Sequence, residues 1–286
     1  MECERRHHTV VEATHRCSRC HRAWCRDCTH PSERLRGAVI CPDCEGLASE
    51  LPPSKGSFYG GLAETLKYPL EGSGFVVIVG GAILLAALDF LAAFSIIGWI
   101  AGFIGLGYFL AYYARVVESS ANGDRELPDW PELHWGDLFA PVGRAGAVLI
   151  AAFGPGLALY LSGAESLGMA AALVGFAVAP MAWLSVSLHQ SVWGLNPAKL
   201  ISGMVRVPLQ YLATFLVVLA VTAISTTVEA TLGATLIGLP LAYLVGLYGT
   251  FVAMRALGLL YHHHEAEFDW FGEASRAHVP RRARAR

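Results

Sequence analysis

The sequence predicts an all-α polytopic membrane bundle of about six transmembrane helices, paired as three helical hairpins, behind a small cysteine-rich N-terminal head. Apolar residues make up 54% of the 286 residues and charged residues only 15%, whereas a soluble globular chain carries roughly 25% charge. Long stretches contain no charge, and all seven cysteines lie within the first fifty residues. The composition excludes a soluble enzyme, and a net charge of -2 excludes a strongly acidic or basic partner.

Shifts in composition divide the chain into four segments. Residues 1–50 form the head, and residues 51–74 form a linker and an interfacial helix. Residues 75–260 form the six-helix transmembrane domain, and residues 261–286 form a basic cytoplasmic tail. The proline-containing link is too short for a long reach, so we expect a partner of the head to bind it close to the bilayer.

The head contains three Cys-x2-Cys pairs, which are Cys17 with Cys20, Cys25 with Cys28, and Cys41 with Cys44. A two-residue gap lets two thiolates bind one tetrahedral Zn²⁺ from a single tight turn. Below about 40 residues a chain rarely folds without a metal or disulfides, because it buries too little apolar surface. Disulfides are the alternative, and the cytosolic location predicted below argues against them.

The number of ligands predicts two structural zinc ions. The paired cysteines supply six ligands of the eight that two ions require, so Cys3 and one histidine are needed to complete the set. We hypothesise a cross-brace in which one zinc is bound by Cys3, His8, Cys25 and Cys28 and the other by Cys17, Cys20, Cys41 and Cys44. His7 is the alternative to His8. Four protein ligands close each site, so no position is open for a catalytic water.

The spacing of these residues resembles that of the small bacterial B-box-type zinc fingers across residues 3 to 44. The resemblance is carried by His8-x4-Ala13-x3-Cys17-x2-Cys20-x4-Cys25-x2-Cys28 and by Gly37-x3-Cys41-x2-Cys44. Those fingers usually place their first cysteine three residues before the histidine, whereas Cys3 precedes His8 by five and His7 by four. The arginine excess of the head is small and no recognition helix follows the cysteines, so we expect no nucleic-acid partner.

Six apolar runs are long enough to cross a bilayer, whose hydrocarbon core of about 30 Å requires about 20 residues per helix. The predicted spans are roughly 75–95, 98–117, 142–162, 168–189, 208–228 and 235–257. All 21 Lys and Arg lie outside the alternate turns near residues 96–97, 163–167 and 229–234. The positive-inside rule therefore predicts that both termini are cytoplasmic, and we expect an integral protein of the bacterial inner (plasma) membrane.

Prolines at three membrane entry points indicate an internal repeat. Pro69, Pro141 and Pro208 are spaced by 72 and then 67 residues, and two spans follow each of them. A short amphipathic stretch precedes each proline, at residues 58–68, 130–140 and 196–206. The alternative is a chance alignment. Within the second span, Gly98, Gly102 and Gly105 form a stripe that predicts close approach of a neighbouring helix.

Residues of the second span and second loop resemble a bacterial multi-pass family known as a domain of unknown function of the four-thousand-and-thirteen type, which is similar to the YIP group of membrane-trafficking proteins. The residues concerned are Gly107-Tyr108, Arg115, Asn122-Gly123, Leu127-Pro128-x-Trp130 and Trp135-Gly136-Asp137-Leu138-Phe139. The resemblance covers about residues 57–145 well and the remainder by hydropathy. It implies a membrane fold and no particular reaction.

No catalytic or cofactor-binding constellation is present, since the chain lacks the spacings of metalloproteases, serine hydrolases and phosphate-binding loops, and we expect no enzyme. Asp89 is an intramembrane carboxylate and thus a functional candidate, although the Lys and Arg of the predicted spans lie only near span ends and none is placed to pair with it. We expect His262, His263 and His264 to form an interfacial polar cluster. The basic tail, with arginines at 281, 282, 284 and 286, is suited to anionic lipid.

These features predict a non-enzymatic membrane scaffold or adaptor, whose cytoplasmic zinc finger binds a protein partner near the bilayer. The alternative is a small-solute or ion transporter with a regulatory zinc finger. Transport would require an aqueous path lined by polar residues, for which the candidates are Asp89, Ser187, His189, Ser225, Thr226 and Thr227.

Overall fold

The computed structural model describes residues 15–25, 28–31, 39–50, 56–128, 135–235 and 237–271. The chain forms two compact units, Met1–Gly56 and Ser57–Arg286. The first contains short strands and the cysteines, and the second contains long helices.

The first unit is built on short antiparallel strands. They are β1 (His15–Cys17), β2 (Ala23–Trp24), β3 (His30–Pro31), β4 (Val39–Ile40) and β5 (Leu47–Glu50). Their order across the sheet is β2-β1-β5-β4-β3, and each neighbouring pair is antiparallel. Strands this short bury little apolar surface, so the sheet positions the cysteine turns but does not supply a conventional core.

Among the described residues of the second unit, six helices are long and apolar enough to cross a membrane, which confirms the number that the sequence predicts. They are α2 (Gly74–Ala92), α3 (Ile96–Ala121), α4 (Trp135–Leu161), α5 (Glu165–His189), α7 (Pro208–Leu232) and α8 (Gly238–Phe268). Two shorter helices are α1 (Phe58–Glu64) and α6 (Pro197–Arg206). Successive spans pack as hairpins, α2 on α3, α4 on α5 and α7 on α8. The second unit is thus a helical membrane bundle.

Large apolar side chains cover the outside of this bundle. Phe94, Ile150 and Leu161 expose 74%, 73% and 75% of their surface. A soluble helix turns one apolar stripe inward and a polar face to water, whereas a helix that is apolar all round belongs in a core or a bilayer. Lipid is the environment that suits such a surface, because water would drive these patches to associate.

The last span, α8, is the central helix of the bundle. It contacts α2, α3 and α7 and is much more buried than the other spans. Phe251 joins it to one apolar cluster with Tyr112, and Leu257 and Leu260 join it to a second cluster with Met181. The helical segment also continues to Phe268, beyond the span predicted to end near residue 257, and it is kinked at His264, whose backbone angles of φ -119° and ψ 25° are not helical. The residues that bury its extension are Tyr261, Phe268 and Trp270, whose rings stack on one another.

A buried arginine fixes one end of the bundle. Arg255 is 8% exposed, its Cζ lies 4.6 Å from the centre of the Tyr68 ring, and it donates a hydrogen bond to the carbonyl of Asp124. His262 Nδ1 donates to the Ala121 carbonyl at 3.0 Å. A buried cation needs such partners because it has lost its hydration. Arg255 therefore ties together the segment before α2, the loop after α3, and α8.

Two of the three predicted interfacial stretches form separate helices. The helix α1 lies within residues 58–68, and α6 lies within residues 196–206 and ends just before α7 begins at Pro208. In the second repeat α4 begins at Trp135 and runs through Pro141 without a break. Residues 130–134 of that stretch lie outside the described residues. The repeat therefore differs in its second copy, where the proline lies inside the helix.

Close helix approach occurs at part of the predicted stripe and at glycines of the α4–α5 hairpin. A Cβ at Gly98 would lie 2.3 Å from Ala92 N, and one at Gly105 would lie 3.0 Å from a side-chain carbon of Leu88, so the stripe prediction is confirmed at these two positions. A Cβ at Gly102 would meet nothing within 4 Å, so this part of the α3 prediction is wrong. In the α4–α5 hairpin a Cβ at Gly168 would lie 2.6 Å from Tyr160 N, and one at Gly156 would lie 2.8 Å from Ala172 N. A Cβ at Gly175 would overlap the carbonyl of Ala152. Glycine at these positions lets two backbones touch, as in other membrane helix pairs.

Substitution of Gly175 by leucine is expected to destabilise the bundle by about 3 kcal/mol, because overpacking at a close contact must separate the backbones of α4 and α5. The matched control is Gly102→Leu, which adds the same side chain where no atom lies within 4 Å. Thermal unfolding of the purified protein in lipid nanodiscs measures both. Equal melting temperatures for the two variants would contradict the packing described here.

Candidate metal centre

Two cysteine turns come together at one end of the head sheet. β1 and β4 both run antiparallel to β5, so their final residues point toward the same end of the sheet. β1 ends at Cys17 and leads into the turn that contains Cys20, and β4 is followed by the turn from Cys41 to Cys44. The sheet register therefore positions two Cys-x2-Cys turns side by side.

The two turns have the same backbone hydrogen bonds. Cys17 N–H donates to the Arg22 carbonyl at 3.0 Å, and Cys41 N–H donates to the equivalent carbonyl of Gly46 at 2.9 Å. The residue after the second cysteine donates back to the first cysteine and adopts a left-handed conformation in both turns, with φ of 57° at His21 and 55° at Glu45. This repetition shows two copies of one ligand-presenting turn.

The four thiols form a compact group that could hold one metal ion. Cys17, Cys20, Cys41 and Cys44 place their Sγ atoms within 4.8 Å of one another. Across the two turns, Sγ of Cys17 lies 3.4 Å from Sγ of Cys44, and Sγ of Cys20 lies 3.7 Å from Sγ of Cys41. Four sulfur atoms spaced in this way suit a tetrahedral ion with metal–sulfur distances of about 2.3 Å.

The local backbone favours the thiolate form that a metal requires. The Cys20 N–H donates to Cys17 Sγ at 3.5 Å and the Arg19 N–H donates to it at 3.4 Å. The bond from Cys20 is the main reason that the pKa of the Cys17 thiol falls from 9.0 to about 6. The neighbouring thiols shift the other way. Although the Arg22 N–H hydrogen bond favours the Cys20 thiolate, burial and hydrogen bonds among the thiols raise the pKa of Cys20 to about 12, and the pKa of Cys44 is also raised. Metal binding to the whole cluster therefore still displaces protons.

Gly46 belongs to the site although sequence spacing alone did not identify it. A Cβ at this position would lie 3.0 Å from Cys17 Sγ, 3.3 Å from Cys44 Sγ and 2.9 Å from Arg19 Cβ. Only glycine lets the chain pass this close to the sulfur atoms without displacing them. The signal in the sequence is its position two residues after the last cysteine of a Cys-x2-Cys pair.

The third cysteine pair is also preformed. Sγ of Cys25 and Sγ of Cys28 are 3.4 Å apart, and both residues are buried. They pack in one cluster with Trp24, Cys17 and Cys41. Cys3 and His8, the other ligands predicted for this site, lie outside the described residues, as does His7. Trp24 is 3% exposed and thus packs inside the head.

The polar residues proposed for a transport path lie in different places. Asp89, Ser225 and Thr226 line one cavity of the bundle, together with Glu229. Ser187 is buried in α5, and Thr227 donates to the Ala223 carbonyl of its own helix. His189 Nδ1 donates to the Ser185 carbonyl at 2.8 Å, and its ring stacks on Phe271 with centroids 4.6 Å apart. The predicted set therefore does not form a single path.

Comparison of the chain with protein-family models, with curated proteins and with solved structures finds no match. The chemistry of the cysteine cluster therefore has to be inferred from its own residues.

Replacement of Cys41 by serine is expected to remove one metal ion per chain, since a hydroxyl does not replace a thiolate ligand. The matched control is Asp43→Asn in the same turn, which removes an exposed ion pair with Arg22 and no ligand. Metal content per chain, measured by plasma mass spectrometry on the full-length protein, distinguishes them. Unchanged metal content in Cys41→Ser, or equal loss in both variants, would contradict the assignment.

Proposed function

We propose that the chain is a non-enzymatic membrane scaffold or adaptor, whose metal-folded cytoplasmic head binds a protein partner close to the bilayer. The observation that carries the proposal is the four-cysteine cluster, because four protein ligands complete the coordination of one ion. Such a site stabilises a fold and leaves no position for substrate or catalytic water. The head is then an interaction module attached to a membrane anchor.

Zinc is the proposed metal, and two ions are proposed. Four thiolates that can surround one ion tetrahedrally favour zinc over hard cations such as Ca²⁺ and Mg²⁺, which prefer oxygen ligands. The preformed pair Cys25 and Cys28 supports a second site completed by Cys3 and His8. Structural zinc in finger peptides contributes about 10–16 kcal/mol, which is enough to replace the missing apolar core. The proposed head thus remains a B-box-like double zinc finger.

Its location is proposed from the distribution of charge. The turns that contain no Lys or Arg alternate with loops that do, which favours cytoplasmic termini in a bacterial inner membrane. A reducing cytosol keeps cysteine thiols available for metal. The basic tail lies outside the described residues and is proposed to add attraction to anionic lipid, at about 1 kcal/mol per Lys or Arg near the surface.

The exposed side of the head is suited to a protein contact. Arg16 and Arg19 are exposed near the metal cluster, and each donates to a backbone carbonyl that holds its position, at His21 and Cys44 respectively. Leu47 exposes 52% of its surface on β5. An apolar side chain next to arginines is typical of a contact surface, in which apolar and Arg residues carry much of the binding energy.

Transport is the second candidate, and one observation favours it. The cavity that contains Asp89, Ser225 and Thr226 places polar groups inside the membrane region. A solute path would explain why carboxylates are retained there. Under this alternative the zinc head would regulate the bundle.

A photoreactive residue at position 47 tests the adaptor proposal. In cells it is expected to capture one specific protein, and that purified protein should bind the full-length chain. Cys41→Ser should abolish this binding because the head unfolds without its metal, whereas Asp43→Asn should retain it. The adaptor proposal would be refuted if no specific protein were captured, or if the captured protein bound the Cys41→Ser variant equally well.

A further inference from the structure

A groove runs along the central helix of the bundle. It encloses a cavity of about 640 Å³ between α2, α7 and α8, with Tyr113 of α3 at its base. The helix α8 packs against both α2 and α7 and so forms the floor, while α2 and α7 form the walls. Asp89 of α2 and Thr222 and Thr226 of α7 are exposed, so the groove opens sideways from the bundle toward lipid.

One end of the groove carries two carboxylates from different helices. Asp89 lies three residues before the end of α2 at Ala92, and Glu229 lies three residues before the end of α7 at Leu232. Each is therefore about 4.5 Å of helix rise from the turn that connects its helix to the next span, and so lies near the level of the lipid headgroups. At this depth an ionised carboxylate costs far less than at the bilayer centre.

These carboxylates have polar neighbours but no cation. Tyr243 of α8 lines the same cavity as both carboxylates. The Thr226 hydroxyl donates to carbonyls of its own helix, at Thr222 and Ala223, so it does not need a carboxylate as acceptor. No Lys or Arg is among the residues that line the cavity. Two neighbouring carboxylates without a countercharge favour a positively charged ligand.

Apart from a few hydroxyl side chains, the rest of the groove is apolar. Its walls and floor away from the carboxylates include Leu85, Val218, Leu247, Ala253 and Met254. The lining of α8 extends from Leu239 to Met254, which corresponds to about 22 Å of helix. A small hydrated cation would leave this apolar length of the groove unoccupied. An alkyl chain would lie along it and bury apolar surface.

We propose that this groove binds a cationic amphiphile from the bilayer, with its ammonium group between Asp89 and Glu229 and its alkyl chain along α8. The lateral opening lets such a molecule enter from lipid without crossing water. The carboxylates select the positive charge. The site is independent of the zinc head and requires neither of the functions proposed above.

Photoaffinity labelling of the full-length protein in phosphatidylcholine nanodiscs tests the proposal. The probe is hexadecylamine with a diazirine near the end of its chain, and the matched probe carries a terminal hydroxyl in place of the amine. The amine is expected to label peptides of α7 and α8 that line the groove about tenfold more than the alcohol, which corresponds to about 1.4 kcal/mol and is close to the lower end of what a charge-assisted hydrogen bond contributes.

The double variant Asp89→Asn with Glu229→Gln should lower labelling by the amine to the level of the alcohol. The control is Glu165→Gln, which removes an exposed carboxylate at the start of α5, outside the groove. Equal labelling of the wild type by amine and alcohol would overturn the proposal without use of any variant. Competition by propylammonium as strong as by unlabelled hexadecylamine would also overturn it, because it would indicate a small-cation site.

Discussion

A polypeptide backbone in hydrocarbon has no water to bond with, so every N–H and C=O group there must find its partner within the chain. Helices satisfy this requirement alone, which is why the apolar runs of this chain form six long helices. Side chains such as Phe94 and Leu161 can then face lipid, and packing depends on shape more than on hydrophobicity. Backbone contact at Gly175 and the central position of α8 both follow from that constraint.

The head differs from the bundle because it is small and has little apolar surface to bury. Its strands are two to four residues long, and cysteines form most of its buried cluster. A bound metal would hold the turns at Cys17 and Cys41 together where an apolar core cannot. Under the proposed function, four protein ligands would complete the coordination of the ion and fix the surface around it. The combination of a metal-built surface with a lipid-facing anchor is what favours an adaptor.

Sequence predicted the features that depend on local spacing. The Cys-x2-Cys pairs fix which thiols can share a turn, and the four-cysteine cluster is brought together as the spacing indicated. Contacts between helices could not be predicted from local spacing, because they depend on which helix faces pack against each other. Gly102 lies on a smooth stripe but faces no neighbour, whereas Gly175 touches Ala152 on the partner helix. Asp89 and Glu229 are far apart in sequence, and only the packing of α2 and α7 on α8 brings them to the same cavity.

The most direct test of the six membrane crossings is whether successive turns lie on alternate sides of the membrane. Reporter fusions in a bacterial host use alkaline phosphatase, which is active only outside the inner membrane, and green fluorescent protein, which fluoresces only inside. The account predicts phosphatase activity for fusions after Phe94, Gly163 and Ala234, and fluorescence for fusions after Gly123, Leu195 and Phe271. The same reporter response at two consecutive turns would mean that the helix between them does not cross, and would contradict the account.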